Sequence, residues 1–305
     1  MTWVAEAGPD RSMTQPQMSV ISDEVAQDLS DVGRFVRDFG LGGFELRSMF
    51  GRAFKDLTSH DIAEIRSFVA GEGLKIHCCA TPVFKCEMDD NAAVEEHVEI
   101  FKRSLDTAGE LGCALVRVFS FLRRAEALSS GVIRSIAAHL GQLADLSSAA
   151  GIRLGIENES SCMIGSGSEM LQLAHSFSHP GAGWIWDPCN VLYVAGEQGS
   201  PTAAFAKLSG QVIHIHVKDA LRTPGESQLA RPAPVGAGDV GWAAHLKEIH
   251  GSGYSGLLSL ETHWRKRELD TGLLHLPAGH AFSAGGDEAS RICMRSLMDL
   301  WQGTE

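Results

Sequence analysis

Four short segments carry side chains that bind metals or move protons. They are Ile156–Glu159 (IENE), Trp186–Asn190 (WDPCN), His214–Asp219 (HIHVKD) and Leu260–His263 (LETH). Each begins in a β-branched or otherwise apolar run and ends in polar chemistry, so Glu157, Asp187, His216 and Glu261 stand at the ends of four buried strands. Parallel strands closed into a barrel open their C-terminal ends on one mouth, where these four groups converge. Three carboxylates and an imidazole brought together in a low dielectric repel one another without a cation. The three-oxygen, one-nitrogen set suits one divalent metal ion, and so much carboxylate favours Mn²⁺ or Mg²⁺ over Co²⁺ or Zn²⁺. Lys218 and Asp219, directly after the strand, are placed to orient its loop and the residues behind the ion.

Other polar residues share these strands. Glu45 and Arg47 lie on one face of the Gly43–Arg47 run (GFELR), where they either line the mouth and hold substrate or pair with each other. His77 in Leu74–Ala80 has the same two readings, core or substrate-binding. Arg117 reads as an interior ion-pair partner. His263 shares its face with Glu261 and reaches toward the site. Trp184 and Trp186 alternate against Asp187 and face the helices. Cys189 has no activating base beside it, so a thiol mechanism is disfavoured. The Gly236–Gly238 turn is too short to cradle a phosphate and is expected to let Asp239 cap the following helix.

Eight strand-like runs alternate with amphipathic segments. The strands are expected at Met18–Asp23, Gly43–Arg47, Leu74–Ala80, Ala114–Phe119, Ile152–Glu157, Gly183–Asp187, Val212–Val217 and Leu257–Glu261. The helices are expected at 31–39, 59–70 (capped by Gly71 and Gly73), 92–111, 132–150, 168–177, 202–208, 240–250 and 288–301. This alternation predicts a single-domain α/β (β/α)8 TIM barrel over 18–305, preceded by an N-terminal tail at 1–17. An open doubly wound sheet is the alternative, but no G-x-G-x-x-G follows the first strand.

The chain has 305 residues and a formal charge of −12, with no basic footprint for nucleic acid. Its seven cysteines are odd in number and scattered, as in a reducing cytoplasm. No apolar run of about 18 residues and no leader pattern is evident, so no membrane partner is expected and the expected location is cytoplasmic.

With these motifs in order, the chain resembles the xylose isomerase-like TIM-barrel superfamily of sugar-phosphate isomerases and epimerases. Its relatives include ketose 3-epimerases, hydroxypyruvate isomerases and inosose dehydratases. Asp23–Asp28 (DEVAQD), GFELR, Val235–Trp242 (VGAGDVGW) and Gly279–Gly286 (GHAFSAGG) add to the resemblance. It implies that Glu157, Asp187, His216 and Glu261 bind one metal and that Glu157 and Glu261 also move protons. Arg222, six residues after His216, matches a substrate-binding arginine, and the loop from Arg222 to Pro234 is expected to cover the substrate. Asn190 stands where the epimerase branch has a histidine; it can hydrogen-bond a substrate oxygen but cannot titrate.

The implied activity is isomerisation or epimerisation of a small sugar or polyol-derived hydroxy-ketone through a metal-held enediolate. A dehydratase on the same site is the first alternative, since both reactions share the proton abstraction. A metal-dependent endonuclease of the same barrel is the alternative from another class, opposed by Asn190, the single metal set and the acidic charge. A sensor that binds sugar without turnover is a third. Assembly into a homo-oligomer is compatible with the sequence.

Overall fold

The computed structural model describes residues 17–124, 128–197, 199–226, 228–267, 269–270, 272–273 and 278–304. Eight parallel strands form its centre: β1 Gln17–Val20, β2 Gly43–Leu46, β3 Lys75–Ala80, β4 Leu115–Val118, β5 Arg153–Glu157, β6 Ala182–Trp186, β7 Val212–Val217 and β8 Leu257–Leu260. Their order around the sheet is β1-β8-β7-β6-β5-β4-β3-β2, and the parallel bridge Ile21–Glu45 joins the two ends. That makes a nearly closed (β/α)8 barrel and excludes the open sheet. Every strand sits where the sequence places it, to within three residues at either end.

The helices around it are α1 Leu29–Asp38, α2 Ser59–Glu72, α3 Asn91–Glu110, α4 Ser130–Ala149, α5 Gly167–Ala174, α6 Phe205–Leu208, α7 Trp242–Gly251 and α8 Gly286–Gln302. Local chemistry starts most of the long ones. Asp28, Asp90 and Ser129 accept backbone N–H groups at the starts of α1, α3 and α4. Thr58 with Asp61, and Ser166 with Glu169, form reciprocal caps at α2 and α5.

Several local expectations are corrected. The first strand stops at Val20, and Ser22–Glu24 turn instead into a 3-10 helix that buries Asp23 and Glu24. Gly71 lies inside α2; Gly73 alone ends it, with φ 66. The expected helix at 202–208 is regular only over Phe205–Leu208. Asp239 does not cap α7, which starts after Gly241; its carboxylate accepts the Arg222 backbone N–H at 2.7 Å. Residue 17 belongs to β1, and residues 1–16 of the expected tail lie outside the described residues.

The core lies between barrel and helices. Trp184, Trp186 and Trp242 are buried there. Trp186 donates its indole N–H to His245 Nε2 at 3.1 Å, so the His245 proton sits on Nδ1 and faces Glu248 at 3.0 Å. Burial lowers the His245 pKa from 6.5 to about 3. The unfolded chain therefore takes up a proton that the folded chain refuses, and stability is lost as pH falls from 6.5 toward 3. The expected slope approaches about 1.4 kcal/mol per pH unit. Denaturation between pH 4 and 7 should show His245→Gln with a flatter slope; an unchanged one removes His245 as its source.

All seven cysteines are buried and unbridged. Burial pushes the Cys189 thiol well above its ordinary range, so it offers no nucleophile. No helix among the described residues is long and apolar enough to cross a membrane.

Candidate metal and active site

Glu157 is the last residue of β5, Asp187 and Glu261 directly follow β6 and β8, and His216 is next to last in β7. All four are buried, and each offers a ligand atom within 4.8 Å of those of the others. His216 Nδ1 lies 2.9 Å from Glu157 and 3.8 Å from Glu261. Its other nitrogen, Nε2, lies 3.3 Å from Glu45. Glu45 also holds His214 Nε2 at 2.5 Å. A carboxylate behind an imidazole fixes ring orientation and raises the basicity of the nitrogen facing the site.

Cations surround the carboxylates. Arg117 pairs with Glu157 at 2.6 Å. Arg47 reaches Asp23 at 3.0 Å, Glu24 at 2.7 Å and Glu261 at 2.5 Å. Lys218 lies between Glu261 at 2.7 Å and Asp187 at 2.8 Å. The Lys218–Asp187 approach lacks hydrogen-bond alignment, and Asp187 Oδ2 has no hydrogen-bond partner among the described residues. Burial pushes Asp187 up to about 7 against the pull of Lys218. Burial would also raise Glu261, but Lys218 and His263 outweigh it and hold that carboxyl well below its usual range. Glu157 is raised by burial and lowered more strongly by His216 and Arg117 together.

This donor set fits a divalent ion: three carboxylates and one imidazole from four strands, with an orphaned Asp187 oxygen among them. Among the described residues, two further groups, Glu45–His214–His216 and Glu24–Glu261–His263, each share a residue with the first and offer three donors rather than four.

A cavity adjoins the cluster. Glu261, Arg47, Arg117, His263 and Glu159 supply polar walls, while Phe54, Ala80, Pro82 and Phe119 supply an apolar side. Phe54 is carried there by the turn after a small antiparallel hairpin, Ser48–Met49 with Arg52–Ala53. His263 reaches Glu261 at 3.3 Å and Glu24 at 3.4 Å.

The other residues singled out in the sequence are distributed differently. Glu45 and Arg47 do not pair with each other: Glu45 is fully buried behind the histidines, and Arg47 joins β2 to Glu261. His77 does not line the cavity; it faces Ser19 at 2.8 Å and lies close to Gly43, at the start of β2. Asn190 is buried and ties strand ends together, donating to the Asn158 carbonyl at 2.8 Å. Arg222 lies in an antiparallel hairpin, Asp219–Arg222 with Ala230–Ala233, and donates to the carbonyls of Glu197 at 2.8 Å and Gly199 at 3.3 Å. It lines a different cavity with Leu192 and Pro224.

Asp219 holds the loop that follows β7. Its carboxylate accepts the backbone N–H groups of Ala220, Gly236, Gly238 and Val240. A Cβ at Gly238 would lie 2.2 Å from Asp219 Oδ1, which explains the glycine in that turn.

Sequence reading did not single out Asp23, Glu24, Lys85, Phe54, Phe119 or Glu159 for the site. Asp23 and Glu24 follow β1 and Glu159 follows β5, so the strand-end rule that located the four ligands applies to them equally. Lys85 and Phe54 sit on connections whose course the pattern does not reveal.

A family model described as "Xylose isomerase-like TIM barrel" matches residues 34–286. No protein of curated function matches the sequence. Among solved structures, a xylose isomerase domain protein from Planctomyces limnophilus is 18% identical, with a TM-score of 0.71 over 95% of this chain and 97% of that one. The IOLI protein with a bound zinc atom is 15% identical, with a TM-score of 0.74 over 95% and 99%. A D-allulose 3-epimerase from a Methylomonas species, in complex with D-allulose, is 14% identical, with a TM-score of 0.71 over 94% and 97%. At these identities the likeness establishes the shared fold.

Proposed function

Since the chain belongs to the xylose isomerase-like TIM barrel family, we propose that it is a divalent-metal-dependent isomerase or epimerase of a small hydroxy-ketone of the sugar class. The observation that carries this reading is the buried set Glu157, Asp187, His216 and Glu261, clustered within 4.8 Å. Family neighbours that include a D-allulose 3-epimerase, an L-ribulose 3-epimerase and a zinc-bound protein agree with it.

A bound divalent ion would polarise the substrate carbonyl and so acidify the neighbouring C–H. Glu157 and Glu261 are the bases. His216 and Lys218 stand between or beside them, and Arg117 and Arg47 keep them ionised and fixed in orientation. One Glu removes the proton and leaves an enediolate. Return to the adjacent carbon isomerises the substrate, and return to the opposite face of the same carbon epimerises it. Glu45 acts through His216, and the apolar wall excludes water. Asn190, engaged with Asn158, leaves the two Glu as the titrating pair. A dehydratase would use the same abstraction and then expel a β-hydroxyl. Mn²⁺ or Mg²⁺ remains the preferred ion for so carboxylate-rich a set.

Two measurements test this. Metal-loaded protein should hold one ion per chain by elemental analysis, and Asp187→Asn should lower that content by weakening the donor set. Incubated in D₂O with keto-sugars, inososes or hydroxypyruvate, the loaded enzyme should wash deuterium into the carbon beside the carbonyl of its substrate. If no member of the panel exchanges or turns over, the proton-transfer reading fails.

A further inference from the structure

The strand pair that carries Glu157 and Asp187 continues past its last backbone pairing through a side chain. β5 and β6 run in parallel register as far as Glu157 with Ile185. The next residue on β5, Asn158, is fully buried and turns its amide to the main chain of Asp187. Its Oδ1 accepts the Asp187 backbone N–H at 2.8 Å, and its Nδ2 donates to the Asp187 carbonyl at 2.7 Å. Nδ2 also donates to the Gly165 carbonyl at 3.0 Å. One amide thus stands in for a peptide group beside Asp187, with both of its donors and its acceptor engaged.

The anchor of this amide is itself fixed. Gly165 donates its N–H to Glu169 at 2.8 Å, and Arg123 holds Glu169 at 2.7 Å. A Cβ on Gly165 would lie 2.8 Å from Arg123 and 2.9 Å from the Glu159 carbonyl, so the loop is closely packed there. From the other side, Asn190 donates its backbone N–H to Asp187 Oδ1 at 3.1 Å and its Nδ2 to the Asn158 carbonyl at 2.8 Å. The backbone of Asp187 and one of its carboxylate oxygens are therefore tied down. Oδ2 alone has no hydrogen-bond partner among the described residues; Lys218 lies 2.8 Å from it without hydrogen-bond alignment. A buried oxygen left in this way is the one free to ligate an ion.

We propose that Asn158 is a positioning residue for the ligand Asp187. It sets the peptide from which that carboxylate projects, so that Oδ1 is committed to Asn190 and Oδ2 is presented to the ion. This deepens the metal-dependent reading, on which it rests for Asp187 as a ligand. The chemistry requires asparagine at this position. Aspartate would set a carboxylate oxygen against two carbonyl oxygens, and glutamine is one carbon too long for the same span.

Titration of the full chain with Mn²⁺, read by the electron paramagnetic resonance of the free ion, tests this as a double-mutant cycle. Asn158→Leu keeps the side-chain volume and removes the amide; Asn158→Ser is the milder form. Each should weaken Mn²⁺ binding about tenfold or more. Asp187→Ala leaves no carboxylate to position, so adding either substitution to it should cost less than about twofold further. Ser147→Ala removes a different buried bond beside β5, from Ser147 Oγ to the Ile152 carbonyl at 2.7 Å. That variant should bind Mn²⁺ as the wild type does. Losses that add in the Asp187→Ala background overturn the proposal, as does wild-type affinity in both Asn158 variants or an equal loss in Ser147→Ala. If circular dichroism shows neither Asn158 variant folded, the residue holds the barrel rather than the ligand, and the proposal is again overturned. A wild-type chain that takes up no Mn²⁺ overturns the metal reading and this one with it. The titration needs no substrate, so it stands apart from the deuterium exchange that tests the reaction.

Discussion

Glu157→Gln and Glu261→Gln should each lower deuterium exchange by about 10²–10⁴-fold, the usual contribution of a positioned general base. Gln keeps an oxygen that can coordinate an ion but has no basicity, so metal content should fall less than exchange does. The two losses are expected to differ. Glu157 is braced by Arg117 and His216, whereas Glu261 is braced by Arg47, Lys218 and His263. If the two carboxylates serve opposite faces or adjacent carbons, one variant will retain exchange at a position that the other loses. NMR of the recovered substrate distinguishes the two cases. Equal metal content and wild-type exchange in both variants would sink the assignment of these residues as bases.

Arg47→Met is expected to destabilise the protein by about 3–5 kcal/mol, the typical cost of stranding a buried ionic partner. Arg47 is buried, contacts Asp23, Glu24 and Glu261, and lies 5.0 Å from the Phe282 ring centre. Met replaces much of the volume and none of the charge. Arg265 and His263 also reach Glu24, so the loss should stay near the lower end of the range. Its pH dependence is diagnostic. In the variant the stranded carboxyls have pKa values raised above those of the unfolded chain, so their penalty is largest at neutral pH and shrinks on acidification. Denaturant midpoints at pH 7 and pH 5 should therefore converge between variant and wild type. A loss below about 1 kcal/mol at pH 7 would mean that Arg47 does not hold the mouth together.

The two predictions concern one object, a ring of carboxylates already matched by cations before any ion binds. That differs from a bare acidic metal cage. Lys218 between Asp187 and Glu261, Arg117 on Glu157 and Arg47 on Glu261 hold the carboxylates together in a buried site, where repulsion would otherwise separate or protonate them. Asp187, the least well paired, is the one pushed up to about 7.

The barrel, its eight strands and the convergence of Glu157, Asp187, His216 and Glu261 were all legible in the sequence. Strands announce themselves by β-branched runs, and a closed parallel sheet sends every strand end to one mouth, so placing a residue at a strand end almost places it in space. That rule weakens away from the strand ends. His77 and Glu45 lie on the right strands but at depths that period-two patterning does not report: Glu45 ends behind His216, and His77 faces Ser19. Arg222 matched a motif position and Asn190 replaced a motif histidine, yet backbone carbonyls took donors from both. Asp219 orients its loop as expected, but through four backbone N–H groups that the sequence does not name. Such bonds depend on where a loop returns, and no residue pattern encodes that. Tertiary structure alone decided the partners of Arg47, the position of Lys218 between two acids, and the meeting of Lys85 with Arg117 at Phe119. These contacts join residues from different strands and connections, whose distances are set by barrel closure and side-chain length rather than by spacing along the chain.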